Sequence, residues 1–209
     1  MNIEWQFKRA MLRPGYPCVG ARSTFQEGNY QLQVYNEMLS DSSTWALGHD
    51  LIKFVNYNGS GRFVTFVAVF KNPESEGERH FEWCLWEQLQ ELHNIDESRW
   101  DQSVSSDPNS PRFEFSFGGV AFFVVGMHKQ AHRRARQFDY CTLVFNRHSQ
   151  FQELRASGHY NKMQQTIRQR DNKFSGPNPN VNDFGLVSDA RQYSGRDVEP
   201  NWICPFKAK

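Results

Sequence analysis

FVTFVAVF, residues 63–70, is the stretch that decides the fold. It is a continuous run of apolar, β-branched and aromatic residues, which is typical of a strand covered on both faces. Residues 30–34, in contrast, alternate apolar and polar side chains, and this pattern predicts an earlier, half-buried strand.

A helix is predicted between these two strands. Ser43 and Thr44 are suitable caps for its start, and Asn58-Gly59 is a suitable end. Its apolar side is expected to carry Trp45, Ile52 and Val55. Residues 80–93 follow the period of a second helix. The apolar stripe of this second helix consists of Phe81, Leu85, Leu89 and Leu92.

The next segments predict a hairpin, another strand and a last helix. Gly118-Gly119 suits a two-residue turn between an alternating strand, which ends at Phe117, and residues 120–125. Residues 141–145 are a further strand candidate. Residues 149–152 (SQFQ) form a capping-box sequence for a helix that Gly158 could interrupt. The predicted order is therefore β-α-β-α-β-β-β-α.

The last segment, residues 173–209, lacks periodicity and is rich in Gly, Pro, Asn and Asp. So long an irregular stretch in a compact domain is usually functional or disordered. Its aromatic residues favour an ordered wrap that packs over a site: Phe184, Tyr193, Trp202 and Phe206. The predicted fold class is α+β, a single domain over residues 1–209 with a mainly antiparallel or mixed sheet packed by helices.

Composition narrows the classes of function. A length of 209 residues suits one domain, and a net charge of +1 argues against a global grip on nucleic acid. No stretch approaches the roughly 20 apolar residues that span a bilayer, and the N-terminus lacks the apolar core of a secretory signal. We therefore expect a cytoplasmic protein. The cysteines are too widely spaced for a zinc ribbon or a redox pair: Cys18, Cys84, Cys141 and Cys204.

Two features between residues 126 and 136 are candidates for chemistry. His128 follows a predicted buried strand, where a ligand pocket can open, although a histidine bonded to a loop carbonyl suits that position too. His132 and His148 have the same two interpretations. The run HRRAR at 132–136 could bind nucleic acid, clamp a carboxylate, phosphate or haem propionate, or be a solvated turn.

Several stretches resemble the YqcI/YcgG family. They are FSFGGVAFFVVGMHKQAHRRARQF (115–138), LVFNRHSQFQELRASGHYNKMQQTIRQRD (143–171), NDFGLVSDARQYSGR (182–196) and NWICPF (201–206). Tyr16-Pro17-Cys18 and the helix around residues 83–92 fit as well, so the similarity spans nearly the whole chain. The most specific parts are the A-R-Q-Y-S-G-R and W-x-C-P-F sequences.

The resemblance implies a haem-dependent N-oxygenase, a monooxygenase that hydroxylates a guanidine nitrogen of arginine or an arginine-derived amino acid. It implies a haem b whose iron is bound by His128, which matches the family's G-x-H element. The chain departs from the family at Lys129, where a proline is expected, and at His132. His148 therefore stays as an alternative ligand, and so does Cys204, because Cys-Pro resembles a thiolate haem motif.

Further residues take expected roles from this chemistry. Arg134, Arg136, Arg191 and Arg196 are candidates for the haem propionates. Asp183 and Asp189 are candidates for the guanidinium of the substrate, and Tyr193 or Ser194 for a hydrogen bond to bound oxygen. Electrons are expected from an external donor, either a redox partner protein or a reductant, and an oligomer is possible. The alternative function is a haem- or small-ligand-binding protein without turnover.

Overall fold

The structure, a computed structural model, describes residues 2–57, 63–178 and 185–209. The described residues form a sheet of five strands in the order β1-β2-β5-β4-β3. The pair β1–β2 is parallel and the other pairs are antiparallel. Their bounds are β1 Tyr30–Glu37, β2 Thr65–Asn72, β3 Phe115–Phe117, β4 Val120–Met127 and β5 Cys141–Arg147. The α+β class with a mixed sheet is confirmed.

Strand β2 is covered on both faces, as its sequence predicts. Phe66 and Phe70 pack into one core cluster, whereas Val67 and Val69 pack into a second cluster on the opposite face. Helices α3 (Asp41–Val55) and α4 (Glu78–Ile95) cover the first face. The second face is covered by α1 (Ile3–Leu12) and α2 (Val19–Glu27).

Helices α1 and α2 are absent from the sequence-based order. Helix α1 buries only Phe7 and Met11, one turn apart, so its apolar signal is weak. Its start is fixed by Asn2, whose side chain accepts hydrogen bonds from the next turn. No helix in the described part of the chain is long and apolar enough to cross a membrane.

Helix α3 differs from its prediction in both its start and its buried side. Its cap is Ser40, whose hydroxyl accepts a bond from the Ser43 amide, so the predicted caps Ser43 and Thr44 lie inside the helix. The residues predicted to be buried are largely exposed, with Trp45 63% accessible. The side that packs on the sheet carries Leu47, Leu51 and Phe54. The helix ends at Val55, and Asn58-Gly59 lies outside the described residues.

Helix α4 and the hairpin are confirmed. All four residues of the predicted stripe are fully buried in α4. Gly118 and Gly119 have φ values of 61° and 76°, and they join Phe117 to its register partner Val120. Positive φ at both central residues of a two-residue turn matches the twist of the strands and favours glycine.

The last helix is interrupted at Gly158, as predicted, into α5 (His148–Ala156) and α6 (Tyr160–Ser175). The predicted capping box does not form, because β5 runs directly into α5 and Ser149 already lies inside its first turn. Helix α6 continues to Ser175, so the irregular segment begins after it rather than at Lys173. The ring of Phe174 lies under two guanidinium groups, which extends the ordered turn.

The segment 185–209 contains one short 3-10 turn, Asp189–Gln192, and packs on the sheet as the aromatic pattern predicts. Tyr193 and Phe206 belong to the first core cluster, and Trp202 packs against it. Phe184 lies outside the described residues. The amide of Gly126 in β4 donates to the Tyr193 carbonyl at 2.7 Å, which joins this segment to the sheet.

Gly126 is the point of closest approach in this packing. A Cβ there would lie 2.6 Å from Phe81, 2.7 Å from Leu85 and 2.9 Å from the Tyr193 carbonyl oxygen. We expect Gly126→Ala to lower the free energy of unfolding by about 1–3 kcal/mol, because overpacking forces these groups apart.

Urea unfolding followed by circular dichroism measures the effect. Gly20→Ala is the matched control, because its Cβ would meet nothing closer than Phe63 at 3.8 Å within helix α2. That control should be neutral or stabilising by up to about 1 kcal/mol, since alanine favours helix over glycine. Equal stability of both variants would contradict the close approach.

Candidate functional site

His128 lies directly after β4 and is buried, with 1% of its surface accessible. Its Nδ1 is 2.9 Å from the Ser75 hydroxyl, and its ring stacks on Phe81 with centroids 4.4 Å apart. Burial lowers the pKa of His128 to about 4, against a smaller opposing effect of Glu78. The imidazole is therefore neutral at pH 7, as a metal ligand must be. Its ring, however, is enclosed by core side chains.

The HRRAR run contains both exposed residues, His132 and Arg134, and residues that make internal contacts. His132 lies between Glu78, at 2.6 Å from Nδ1, and Asp197, at 3.2 Å from Nε2. Arg133 is buried and forms a 2.7 Å ion pair with Asp171. Part of the positive charge of this run is therefore held in ion pairs with neighbouring segments.

The four predicted propionate ligands have other contacts. The guanidinium of Arg134 lies over the Phe174 ring, and that of Arg136 donates to the carbonyls of Gly126 and Gln192. Arg191 donates to the Trp202 carbonyl at 3.1 Å. Arg196 forms a 2.8 Å ion pair with Glu82. Arg136 and Arg196 fasten the 185–209 segment to β4 and α4, and the four arginines do not converge on one site.

The two residues predicted to donate to bound oxygen are buried. The Tyr193 hydroxyl donates to Glu114 Oε2 at 2.6 Å and accepts the Phe115 amide at 3.2 Å. The Ser194 hydroxyl donates to Glu82 at 3.3 Å. Both hydroxyl protons are engaged inside the protein, and donation to bound oxygen stays a prediction.

Glu114 is the centre of a polar cluster that the sequence does not reveal. Only 3% of this residue is accessible, although the alternating pattern of residues 113–117 places it on the polar side of a strand. His148 Nδ1 lies 3.3 Å from Glu114 Oε1, and His148 Nε2 is 3.2 Å from Arg155. Asp189 is within hydrogen-bond reach of Glu114. The structure thus brings the predicted residues Asp189, Tyr193 and His148 together around Glu114, which the sequence analysis does not predict as a site residue.

Glu114 changes the pKa of two groups next to it, Asp189 and Tyr193. Burial, and then the charge of Glu114, raise the pKa of Asp189 to about 7. Burial and the same carboxylate raise the pKa of Tyr193 well above its usual range. Near neutral pH the pair therefore tends to retain one proton, because two close carboxylates in a buried setting do not both ionise easily. Asp183, the other predicted substrate ligand, lies outside the described residues.

Two neighbouring cavities open beside the cluster, and Pro111 borders both. The smaller, about 190 Å³, has a charged wall that includes Glu114, His148 and Arg155. The larger measures about 580 Å³. Apolar side chains form much of its wall: Leu186, Val187, Val198 and Trp202.

Cys204 borders the larger cavity together with Arg191. Burial raises the pKa of its thiol to about 12, while the Phe206 amide donates to the sulfur and acts in the opposite direction. All four cysteines are free thiols. Within residues 2–57, 63–178 and 185–209, no group of three or more His, Cys, Asp or Glu side chains could hold a metal ion.

Comparisons with known proteins assign the family. The uncharacterized protein YcgG of Bacillus subtilis is 24% identical over 203 residues, which cover 91% of this chain and 80% of that protein. "Putative N(omega)-hydroxy-L-arginine synthase DcsA" of Streptomyces lavendulae is 29% identical over 222 residues, covering 92% and 78%. No solved structure gives a significant match. The model of the YqcI/YcgG family matches residues 7–207, and the chain therefore belongs to that family.

Proposed function

We propose that this protein is a haem-dependent monooxygenase that hydroxylates a guanidine nitrogen of arginine or an arginine-derived amino acid. The observation that carries the proposal is the pair of neighbouring cavities, a small one walled by the buried carboxylate Glu114 and a larger, largely apolar one. The name of the Streptomyces lavendulae relative, which refers to N-hydroxylation of arginine, supports the same reaction.

The reaction converts an N–H bond of the substrate into N–OH. One atom of dioxygen enters the new bond, and the other leaves as water with two electrons and two protons from an external donor. Haem, when bound, would supply the iron chemistry that activates dioxygen. The chain's own contribution is then to hold the cofactor, orient the guanidine and exclude water.

The three candidate ligands fit a haem to different degrees. His128 has the right charge state, but Phe81 stacks on its ring and it borders neither cavity. His148 borders the smaller cavity, whose volume of about 190 Å³ is below the roughly 300–1,000 Å³ of sites for drug-sized ligands and does not suit a group as large as a porphyrin. Cys204 borders the cavity of about 580 Å³, which lies within that range.

We therefore propose that Cys204 would hold the haem iron. A coordinating metal deprotonates a thiol outright, so the high pKa of the free thiol does not prevent binding. The Phe206 amide on the sulfur stabilises negative charge there. Arg191 borders the same cavity and is the only one of the four predicted propionate ligands on the two cavities described.

Haem binding tests the ligand. We expect haem-loaded wild-type protein to show a Soret band, and its reduced carbon monoxide complex to show the red-shifted band of a thiolate ligand. Cys204→Ser should remove that red shift and most of the bound haem. Cys141→Ser is the matched control, because this buried thiol donates to the Pro73 carbonyl and borders neither cavity.

His128→Ala belongs in the same experiment. Under the proposal it retains a wild-type spectrum, provided that thermal melting shows a folded protein. A Soret band lost in His128→Ala and kept in Cys204→Ser would instead assign the iron to His128.

Turnover tests the reaction itself. Haem-loaded protein, arginine, dioxygen and a chemical reductant should yield a product one oxygen atom heavier, detected by mass spectrometry. With ¹⁸O-labelled dioxygen the added atom should carry the label, whereas labelled water should leave it unlabelled. Haem binding without product across a panel of guanidines and amines would contradict the proposal and favour a binding protein without turnover.

A further inference from the structure

Glu114 and Asp189 come from distant parts of the chain and meet beside the smaller cavity, where Glu114 forms part of the wall and Asp189 contacts Glu114. Glu114 immediately precedes β3 and borders this cavity, while Asp189 begins the 3-10 turn of the C-terminal segment. Their carboxyl groups are within hydrogen-bond reach of each other. We propose that this carboxyl pair is the subsite for the guanidinium group of the substrate, and that Arg112 at the same cavity pairs with the substrate's carboxylate. The identity of the ligand as a guanidine rests on the proposed function.

An unpaired buried atom beside the pair independently indicates a ligand. His148 is 6% accessible and borders the cavity, and its Nδ1 has no hydrogen-bond partner among the described residues, since the 3.3 Å approach to Glu114 lacks suitable geometry. Arg155 donates toward Nε2, so the proton of a neutral ring is on Nδ1. A buried donor without an acceptor is costly, and a polar ligand in this cavity would satisfy it.

Charge balance favours a cation next to the pair. Among the described residues, the pair faces the guanidinium of Arg155 and the imidazole of His148, so two ionised carboxyl groups would meet one permanent positive charge. A guanidinium group is planar and donates two parallel N–H bonds, which is the geometry that a carboxylate accepts best. Tyr193 holds Glu114 Oε2 at 2.6 Å and so fixes the orientation of this acceptor before the ligand arrives.

The opposite charge on the cavity wall favours an amino acid over a simple guanidine. Arg112 is exposed and donates to the Ser103 carbonyl at 3.3 Å, so its guanidinium is at the solvent side of the cavity. Glu114 is buried on the inner side. A ligand with a cationic head and a carboxylate tail satisfies both groups, whereas a simple anion would face the Glu114 carboxylate.

Calorimetric titration with arginine tests the pair, using protein both as purified and loaded with haem. We expect Glu114→Gln and Asp189→Asn each to weaken arginine binding at least tenfold. The binding of agmatine, which lacks the carboxylate, should weaken by the same factor as the binding of arginine in both variants. Citrulline, whose ureido head is neutral, should bind wild-type protein poorly. Glu153→Gln is the matched control, since it removes an exposed carboxylate from helix α5 outside the cavity.

Arg112→Ala tests the other end of the site. It should weaken arginine binding and leave agmatine binding unchanged. Equal affinity of wild type, Glu114→Gln and Asp189→Asn for arginine would overturn the guanidinium subsite, and so would a wild-type protein that binds no guanidine in either form. Thermal melting accompanies each titration, and Asp189→Asn carries the test if Glu114→Gln does not fold.

The pH dependence of binding gives a second, independent measurement. A guanidinium stays charged throughout the accessible range and favours ionised Asp189, whose pKa is raised to about 7 by burial and then by Glu114. Binding should therefore release a proton below pH 7. Arginine affinity should rise as the pH increases from 5.5 to 7, by up to about tenfold per unit, and then level off. The other groups that act on Asp189 or respond to it are Arg155, Gln192, Tyr160 and Tyr193.

Asp189→Asn should bind arginine with little pH dependence in that range. A pH profile in this variant that matches the wild type would contradict the idea that the bound guanidinium replaces a proton on Asp189.

A failure of the guanidinium subsite can be distinguished from a failure of the proposed function. Binding that depends on the pair without any hydroxylated product rejects only the reaction, whereas hydroxylation with unaltered affinity and KM in both carboxyl variants rejects only the subsite.

Discussion

Tyr193 connects the irregular C-terminal segment to the sheet, and the candidate site depends on that connection. Its carbonyl accepts the Gly126 amide at 2.7 Å and the Arg136 guanidinium at 3.3 Å. Its hydroxyl reaches Glu114, and its ring stacks on Trp86 with centroids 5.5 Å apart. A single buried side chain thus links strand β4, helix α4 and the cavity wall. A change at Gly126 would act on the site through this residue, although Gly126 touches neither cavity.

The arginines near the site stabilise the fold through hydrogen bonds to backbone carbonyls. Arg136 is half-buried and donates to three backbone carbonyls, those of Gly126, Gln192 and Tyr193. A loop without regular structure leaves carbonyls that need partners, and a guanidinium with five donors can serve several at once. The dense positive charge of the HRRAR run therefore stabilises the ordered wrap. From sequence alone the same charge suggests an anion clamp.

Local sequence patterns predict most strands and helices of this fold. The predictions that are wrong concern features that depend on contacts between distant parts of the chain. Strand β2, the stripe of α4 and the Gly118-Gly119 turn depend on residues close in sequence, and each is confirmed. The buried side of α3 was predicted wrongly, because apolar residues such as Trp45 lie on both sides and only the tertiary contacts decide which side packs. Site residues such as Asp189 are predictable by type, whereas their neighbours are not, since those come from distant segments.

Glu114 is buried at a position where the sequence pattern predicts an exposed side chain. The alternation of apolar and polar residues predicts that this side chain faces solvent. In the structure, however, Glu114 is buried together with its neighbours Phe113 and Phe115. Burial of a carboxylate costs several kcal/mol unless partners compensate for it, and rule-breaking residues of this kind are concentrated at functional sites. His128 breaks no such rule, because its ring is neutral, bonded to Ser75 and packed on Phe81. The energetic cost of burial therefore favours the carboxyl pair over His128 as the position of the proposed chemistry.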